Sequence, residues 1–322
     1  MRYVNANGVR VSAIGLGTWQ FGSKDWGYGS EYAEGEAGRI DDRALELGVN
    51  MFDTAEAYGR GASEQILGRA LAQHRSEAFI ATKFFPISPL AAIIEKHGRK
   101  SAARLGIDQI DLYQIHWPNP VVPLSEQMRG LRRLLDAGVV AHAGVSNYSL
   151  SRWQAAERLL GAPVLSNQVQ YNLAFRKYDD DLVPWAAAND RIVIAYSPLA
   201  KGLLSGRYDA TNLPKNSARL LEPLFLPENV AAAHELIETL RAIGKTHDAT
   251  PAQVALAWVI SHPNVVAIPG ASRVSQLEAN VAAADLDLTA DEVANLNEVS
   301  SRFHPVGGAR GQAKAVGRLV RH

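Results

Sequence analysis

The chain contains no cysteine, which excludes disulfides, thiolate nucleophiles and sulfur-ligated zinc or iron–sulfur centres, and fits a reducing compartment. It has no excess of either charge. The 33 Lys+Arg balance the 33 Asp+Glu, so no whole-chain field gathers nucleic acid or anionic lipid, and small molecules are the expected partners. Long apolar runs are missing as well: none could span a bilayer, and the opening Met-Arg-Tyr-Val-Asn has no continuous apolar stretch of the secretory kind. The expected location is the cytoplasm, with no membrane or nucleic-acid partner; oligomeric state is not legible. A complete G-x-G-x-x-G is also absent. Gly15-Leu16-Gly17 is followed by Gln20 and Gly27-Tyr28-Gly29 by Tyr32 where the third glycine would stand, so a dinucleotide, if bound, is not held in the Rossmann manner.

What is present is a regular alternation. At 322 residues and 47% hydrophobic content the chain can bury a large core. After a hairpin turning at Asn7-Gly8, runs expected to be strands fall at 13–18, 51–55, 79–84, 110–117, 142–147, 165–171, 192–198 and 265–269. Helical patterns lie between them at 36–48, 63–74, 89–105, 124–137, 149–160, 179–189 and 274–285. Strand, helix, strand at this spacing means parallel pairing. Eight such units without a Pro/Gly/Ser-rich linker predict one α/β domain over 1–322, a (β/α)8 TIM barrel with an N-terminal β-hairpin and extra C-terminal helices. Residues 200–227, and 228–263 with two further helical runs, form an excursion too long for a plain connection. The stretch from about 301 to 322 carries several basic residues and glycines but no acid, and is expected to be a mobile C-terminal tail.

Four polar residues sit where three successive apolar strands run out: Asp53, Tyr58, Lys83 and His116. Taken singly, each has an ordinary structural use. Together at the C-terminal ends of barrel strands, where such enzymes place their chemistry, they suggest a unit. A lysine ammonium near a tyrosine lowers the phenol's pKa, a carboxylate beyond the lysine fixes it, and an imidazole one strand further round can donate to, or relay a proton to, the same substrate oxygen. Polarising and protonating a carbonyl oxygen suits hydride transfer. Two other readings share these residues: a Schiff-base lyase with Lys83 as nucleophile, and a non-catalytic cofactor-binding regulatory subunit. A metal hydrolase fits least, for want of a His-x-His pair or any convincing ligand cluster.

The segments GLGTWQFG (15–22), FDTAEAYG (52–59), SEQILGRAL (63–71), ATKF (81–84), DLYQIHWP (111–118), GVSNYS (144–149), NQVQYNL (167–173), YSPLAKGLLSGRY (196–208) and IPGAS (268–272) resemble, in order and over nearly the whole chain, those of aldo-keto reductases. The resemblance implies an NAD(P)H-dependent carbonyl reductase with Tyr58 as general acid, Lys83 and Asp53 tuning it and His116 orienting the carbonyl. It further implies that Ser146, Asn147 and Gln168 grip the nicotinamide carboxamide and that Tyr196 stacks on the ring. Ser197, Pro198, Leu199 and Gly202 would line the pyrophosphate, and Thr18, Trp19, Lys201 and Pro269 are further cofactor-binding residues on the same resemblance. At the adenosine end Gly270, Ser272, Arg273, Gln276 and Asn280 are the matching residues. Many relatives carry a lysine where this chain has Gly270, so Arg273 is expected to supply the charge that selects NADPH over NADH, at a helix start suited to phosphate. Trp19, Trp26, Tyr28 and Trp117 are expected to wall an apolar substrate pocket.

Overall fold

The computed structural model describes residues 1–21, 31–209, 211–214 and 217–319. The hairpin of β1 (Tyr3–Ala6) and β2 (Val9–Ser12) turns through Asn7 and Gly8, both at left-handed φ. Eight strands follow: β3 (Leu16–Gly17), β4 (Met51–Asp53), β5 (Phe79–Phe84), β6 (Ile110–Ile115), β7 (Val140–Ser146), β8 (Val164–Gln170), β9 (Ile192–Tyr196) and β10 (Val265–Ala267). They pair in parallel, each with its neighbour in sequence. Parallel bridges Ile14↔Ala267 and Gly17↔Gly270 join the first strand to the last and close the sheet, with Gly15 N donating to Ala267 O at 2.8 Å. The seam needs glycine: a Cβ on Gly17 would lie 2.8 Å from Ile268 O. The architecture is the expected (β/α)8 barrel.

Strands buried on both faces read as continuous apolar runs, and that is why they were legible. Their alternation sorts two cores. Phe52, Ile80, Tyr113 and Val193 belong to the large cluster under the helices; Met51, Ala81, Leu112, Leu165, Ile194 and Val266 form an inner cluster with Ala6, Val9 and Val11 of the hairpin. The hairpin therefore plugs one end of the barrel. Two residues beyond Met51 and Ala81, toward the other end, the same inward positions are Asp53 and Lys83. The helices Ala91–Leu105 and Leu124–Asp136 approach closely because each offers a glycine: a Cβ on Gly98 would lie 2.6 Å from Leu134 Cδ1, and one on Gly130 2.7 Å from Ile94 Cβ.

Element ends differ from expectation for identifiable reasons. The helix expected over 179–189 spans Leu182–Ala188, because Pro184 has no N–H and fits only in the first turn, which Asp181 caps through Leu182 N. The excursion folds into one-turn elements at Ala200–Ser205, Ser217–Leu220 and Pro223–Phe225, then the helices Pro227–Ala232, His234–Thr246 and Pro251–Ile260. The last of these opens on a Thr250–Gln253 capping box. Within the stretch expected to be a tail, residues 308–319 form a helix, Gly308–Leu319, in which Ala315 is fully buried.

Candidate active site

At the barrel end opposite the hairpin, Asp53 ends β4 and Lys83 lies one residue before the end of β5. Register pairs Asp53 with Ala81, so Lys83 stands one inward position further out. Tyr58 opens a tight turn, Tyr58–Gly61, in which Gly59, Arg60 and Gly61 all take positive φ. Glu56 braces that loop to β5: its backbone N donates to Lys83 O, one carboxylate oxygen accepts Phe85 N at 2.8 Å, and the other meets His97 Nδ1 at 2.7 Å. His116 follows β6, tied by its N–H to Phe84 O. The structure thus brings all four residues together.

The buried Lys83 ammonium has three protons and three acceptors: Asp53 Oδ1 at 2.6 Å, Thr54 O at 2.8 Å and Tyr58 Oη at 3.4 Å. Since Tyr58 Oη accepts from Lys83, its own proton is left for another partner. Burial disfavours the charged lysine, but Asp53 and Tyr58 outweigh it and hold the ammonium above its usual range. Burial raises Asp53, opposed by Lys83 and by Gln168. It also raises Tyr58, and here the expected lowering by Lys83 is present but smaller than the burial effect. Tyr58 is therefore a neutral phenol at physiological pH. A raised lysine is a poor amine nucleophile, which counts against the Schiff-base reading.

His116 is pushed down to about 3, first by burial and then by the Lys83 charge, so its imidazole is neutral. Its Nδ1 is buried without a hydrogen-bond partner among the described residues. Because the folded-state pKa lies below the ordinary 6.5, the folded protein binds fewer protons than the unfolded one below that pH, and this stability is lost as pH falls through it. The urea midpoint should accordingly drop between about pH 7 and about pH 5, and drop less in His116→Gln. Equal drops in both proteins would contradict the neutral imidazole.

A cleft of about 590 Å3 opens over these groups, lined by Asp53, Tyr58 and His116 and by most residues expected to hold a cofactor: Trp19, Ser146, Asn147, Gln168, Tyr196, Ser197, Pro198, Leu199, Lys201, Gly202, Pro269, Gly270, Ser272 and Gln276. Its polar lining is prearranged. Tyr196 Oη donates to Asn147 Oδ1 (3.0 Å), Asn147 Nδ2 to Ser146 Oγ (2.9 Å) and Ser146 Oγ to Gln168 O (2.9 Å). Gln168 Nε2 donates to Asp53 Oδ2 at 2.7 Å, which links the two halves of the site. Asn147, Ser197, Ala200 and Lys201 all hold positive φ, a costly backbone that persists only where the surroundings over-determine it, characteristically at binding sites.

Three expected residues do not line the cleft. Thr18 is buried beneath it, donating to Asp53 O; Asn280 is buried with Nδ2 on Gly270 O; Arg273 is exposed at the start of the helix Val274–Ala282. Trp26 and Tyr28 lie outside the described residues. Trp117, 45% exposed, stacks on His116 with ring centroids 6.2 Å apart, and Phe85 meets the same imidazole edge-on at 6.0 Å. Sequence reasoning missed Gln20 and Arg219, which also line the cleft. Gln20 crosses the barrel seam to Ala271 O at 2.6 Å and fills the space beside Gly270, where a Cβ would lie 2.6 Å from its Oε1. Arg219, inside the excursion, donates from Nε to Lys201 O at 3.0 Å. Among the described residues no group of three or more His, Asp or Glu could hold a metal, and no helix is long and apolar enough to cross a membrane.

A family model described as the Aldo/keto reductase family matches residues 13–301. The chain is 55% identical over 311 residues to a Mycobacterium tuberculosis protein described as an uncharacterized oxidoreductase, covering 96% of each. Among solved structures it is similar to the glycerol dehydrogenase of Gluconobacter oxydans, with a TM-score of 0.85, 29% identity and 95% of this chain and 98% of that one covered. It is also similar to a Klebsiella pneumoniae aldo/keto reductase solved in complex with NADP and acetate, with a TM-score of 0.75, 29% identity and 96% and 98% coverage.

Proposed function

The chain belongs to the aldo/keto reductase family, and on that premise we propose that this oxidoreductase reduces small aldehydes or ketones to alcohols with NADPH, Tyr58 donating the proton. One observation carries the reading: all three Lys83 protons have acceptors, and one of those acceptors is the Tyr58 oxygen. A carbonyl oxygen in the cleft would take the remaining Tyr58 proton. The phenolate left behind would be stabilised by the ammonium that already faces it, and Asp53 would hold that ammonium in place. His116, neutral, would keep its proton on Nε2 and donate a second hydrogen bond to the same oxygen, leaving the buried Nδ1 as an acceptor.

The donor set fits a nicotinamide cofactor. Ser146 and Asn147 would meet the carboxamide together with Gln168, whose Nε2 is engaged by Asp53 and whose Oε1 can accept. Tyr196, its hydroxyl tied by Asn147, would support the ring. The strained backbone of Ser197 to Gly202, with Lys201 and Arg219, suits the pyrophosphate. Bound there, NADPH supplies the hydride for the carbonyl carbon. Trp117, Phe85 and Trp19, all more than 40% exposed, favour an apolar or ring-bearing substrate. A cytoplasmic location belongs to the same proposal.

A panel of aldehydes and ketones assayed by NADPH consumption tests the reaction class; NADPH binding without turnover of any of them would favour a regulatory protein instead. For cofactor choice, Arg273 at the helix start is the expected partner of a 2′-phosphate. Arg273→Ala should raise the KM for NADPH by about tenfold or more, the scale of a lost charged hydrogen bond, while leaving that for NADH nearly unchanged. Equal effects on both would remove the assignment.

A further inference from the structure

We propose that the C-terminal helix Gly308–Leu319 braces a strap on the cofactor cleft, formed by residues 200–205 and 217–225, which bring Lys201, Gly202 and Arg219 to its lining, with Gly311 and Asn229 as positioning residues that set how long the cofactor stays bound. The helix lies beyond residue 301, where the family model stops. It packs on Ser217–Leu220 and Pro223–Phe225, the outer segment of the excursion. Gly311 is what permits the approach: a Cβ there would lie 2.7 Å from Val306 O and 3.0 Å from Pro223 Cβ. The glycines that argued against a packed element in the sequence include the one that allows this packing. Ala315 is fully buried on the same helix, and Gln312 Nε2 reaches Leu221 O at 3.4 Å.

Asn229 is the clasp. Buried, it accepts from Val306 N at 2.8 Å and donates to Val306 O at 3.0 Å and Pro223 O at 2.7 Å, so one side chain ties the approach to the helix to the segment beneath it. The Lys314–Glu228 pair at 2.6 Å is half exposed and adds little. From the braced segment the contacts run inward. Glu222 pairs with the Lys201 ammonium, Arg219 Nε donates to Lys201 O, and Phe225 packs edge-on against Tyr208 with centroids 5.2 Å apart. Lys201, Gly202 and Arg219 line the cleft, and Ala200, Lys201 and Gly202 hold φ of 49, 57 and 101°. Such a backbone relaxes when its supports loosen. Loosening the helix therefore opens the strap, while Tyr58, in the turn after β4, and Lys83, on β5, keep their arrangement.

The inference rests on the reading of the cleft as an NADPH site. Neither Gly311 nor Asn229 lines it. The test measures NADPH binding and dissociation by stopped-flow fluorescence in the full-length wild type, Gly311→Val and Asn229→Ala, with hydrogen exchange of residues 308–319 reporting whether the helix has come away. Expected are a dissociation rate and Kd at least about fivefold higher, the range of typical site-to-site coupling, and a single-turnover reduction rate at saturating NADPH within about twofold of wild type. Gly311→Ala, a smaller intrusion, should give an intermediate dissociation rate and serves if Gly311→Val does not fold. A released helix with unchanged NADPH dissociation would overturn the brace. Failure of the wild type to bind NADPH would instead overturn the reading of the cleft.

Discussion

Tyr58→Phe should lower kcat for carbonyl reduction by about a hundred- to ten-thousand-fold, the range a positioned general acid contributes, with little change in NADPH Kd or in thermal stability. The phenylalanine ring fills the same volume, and the atom removed is the one that accepts from Lys83 at 3.4 Å, the longest of that ammonium's three hydrogen bonds. Lys83 keeps Asp53 and Thr54 O, so the ion pair beneath the cleft survives. Steady-state kinetics beside equilibrium binding separate the two quantities. A variant that retains full kcat would show that the proton comes from elsewhere, and His116 would be the next group to test.

Lys83→Met should cost about 3–5 kcal/mol of folding free energy, the scale for leaving one member of a buried ion pair without its partner. Lys83 and Asp53 are both almost wholly buried, 2.6 Å apart. Methionine matches the lysine stem in volume, which leaves the carboxylate with Gln168 as its remaining side-chain partner. Adding Asp53→Asn should recover part of the loss, because an uncharged amide beside methionine no longer leaves a buried charge unpaired. Urea unfolding of the two single variants and the double variant measures this. Recovery in the double variant, with activity still absent, would separate the pair's contribution to stability from its contribution to Tyr58. If Lys83→Met is as stable as wild type, the ammonium is not held as the geometry indicates.

The barrel was legible because parallel strands covered on both faces leave apolar runs such as Ile110–Ile115, and because two-residue alternation carries Met51 to Asp53 and Ala81 to Lys83. The four polar residues stood out for the same reason: each interrupts or follows such a run. Partnerships across the barrel were not legible. Gln20 and Ala271 are 251 residues apart and meet only because the seam closes; nothing near either residue signals the other. Arg219 lies in an excursion without periodicity. The balance of forces on Tyr58 was half visible, since the neighbouring ammonium can be read from strand order but the burial that outweighs it depends on packing from several elements. The packing of Gly308–Leu319 was not legible because composition there signals disorder, whereas the contacts that seat it run through Gly311 and through Asn229, 77 residues before Val306.

In the proposed reaction a nicotinamide and Tyr58 meet at one carbonyl, hydride arriving at carbon and the phenol proton at oxygen. Reduction of a ketone by NADPH carrying deuterium at C4 on one known face, in ordinary water, tests it directly. Deuterium is expected at the carbinol carbon of the alcohol when one face is labelled and none when the other is. Label washed into solvent, or equal transfer from both faces, would contradict it.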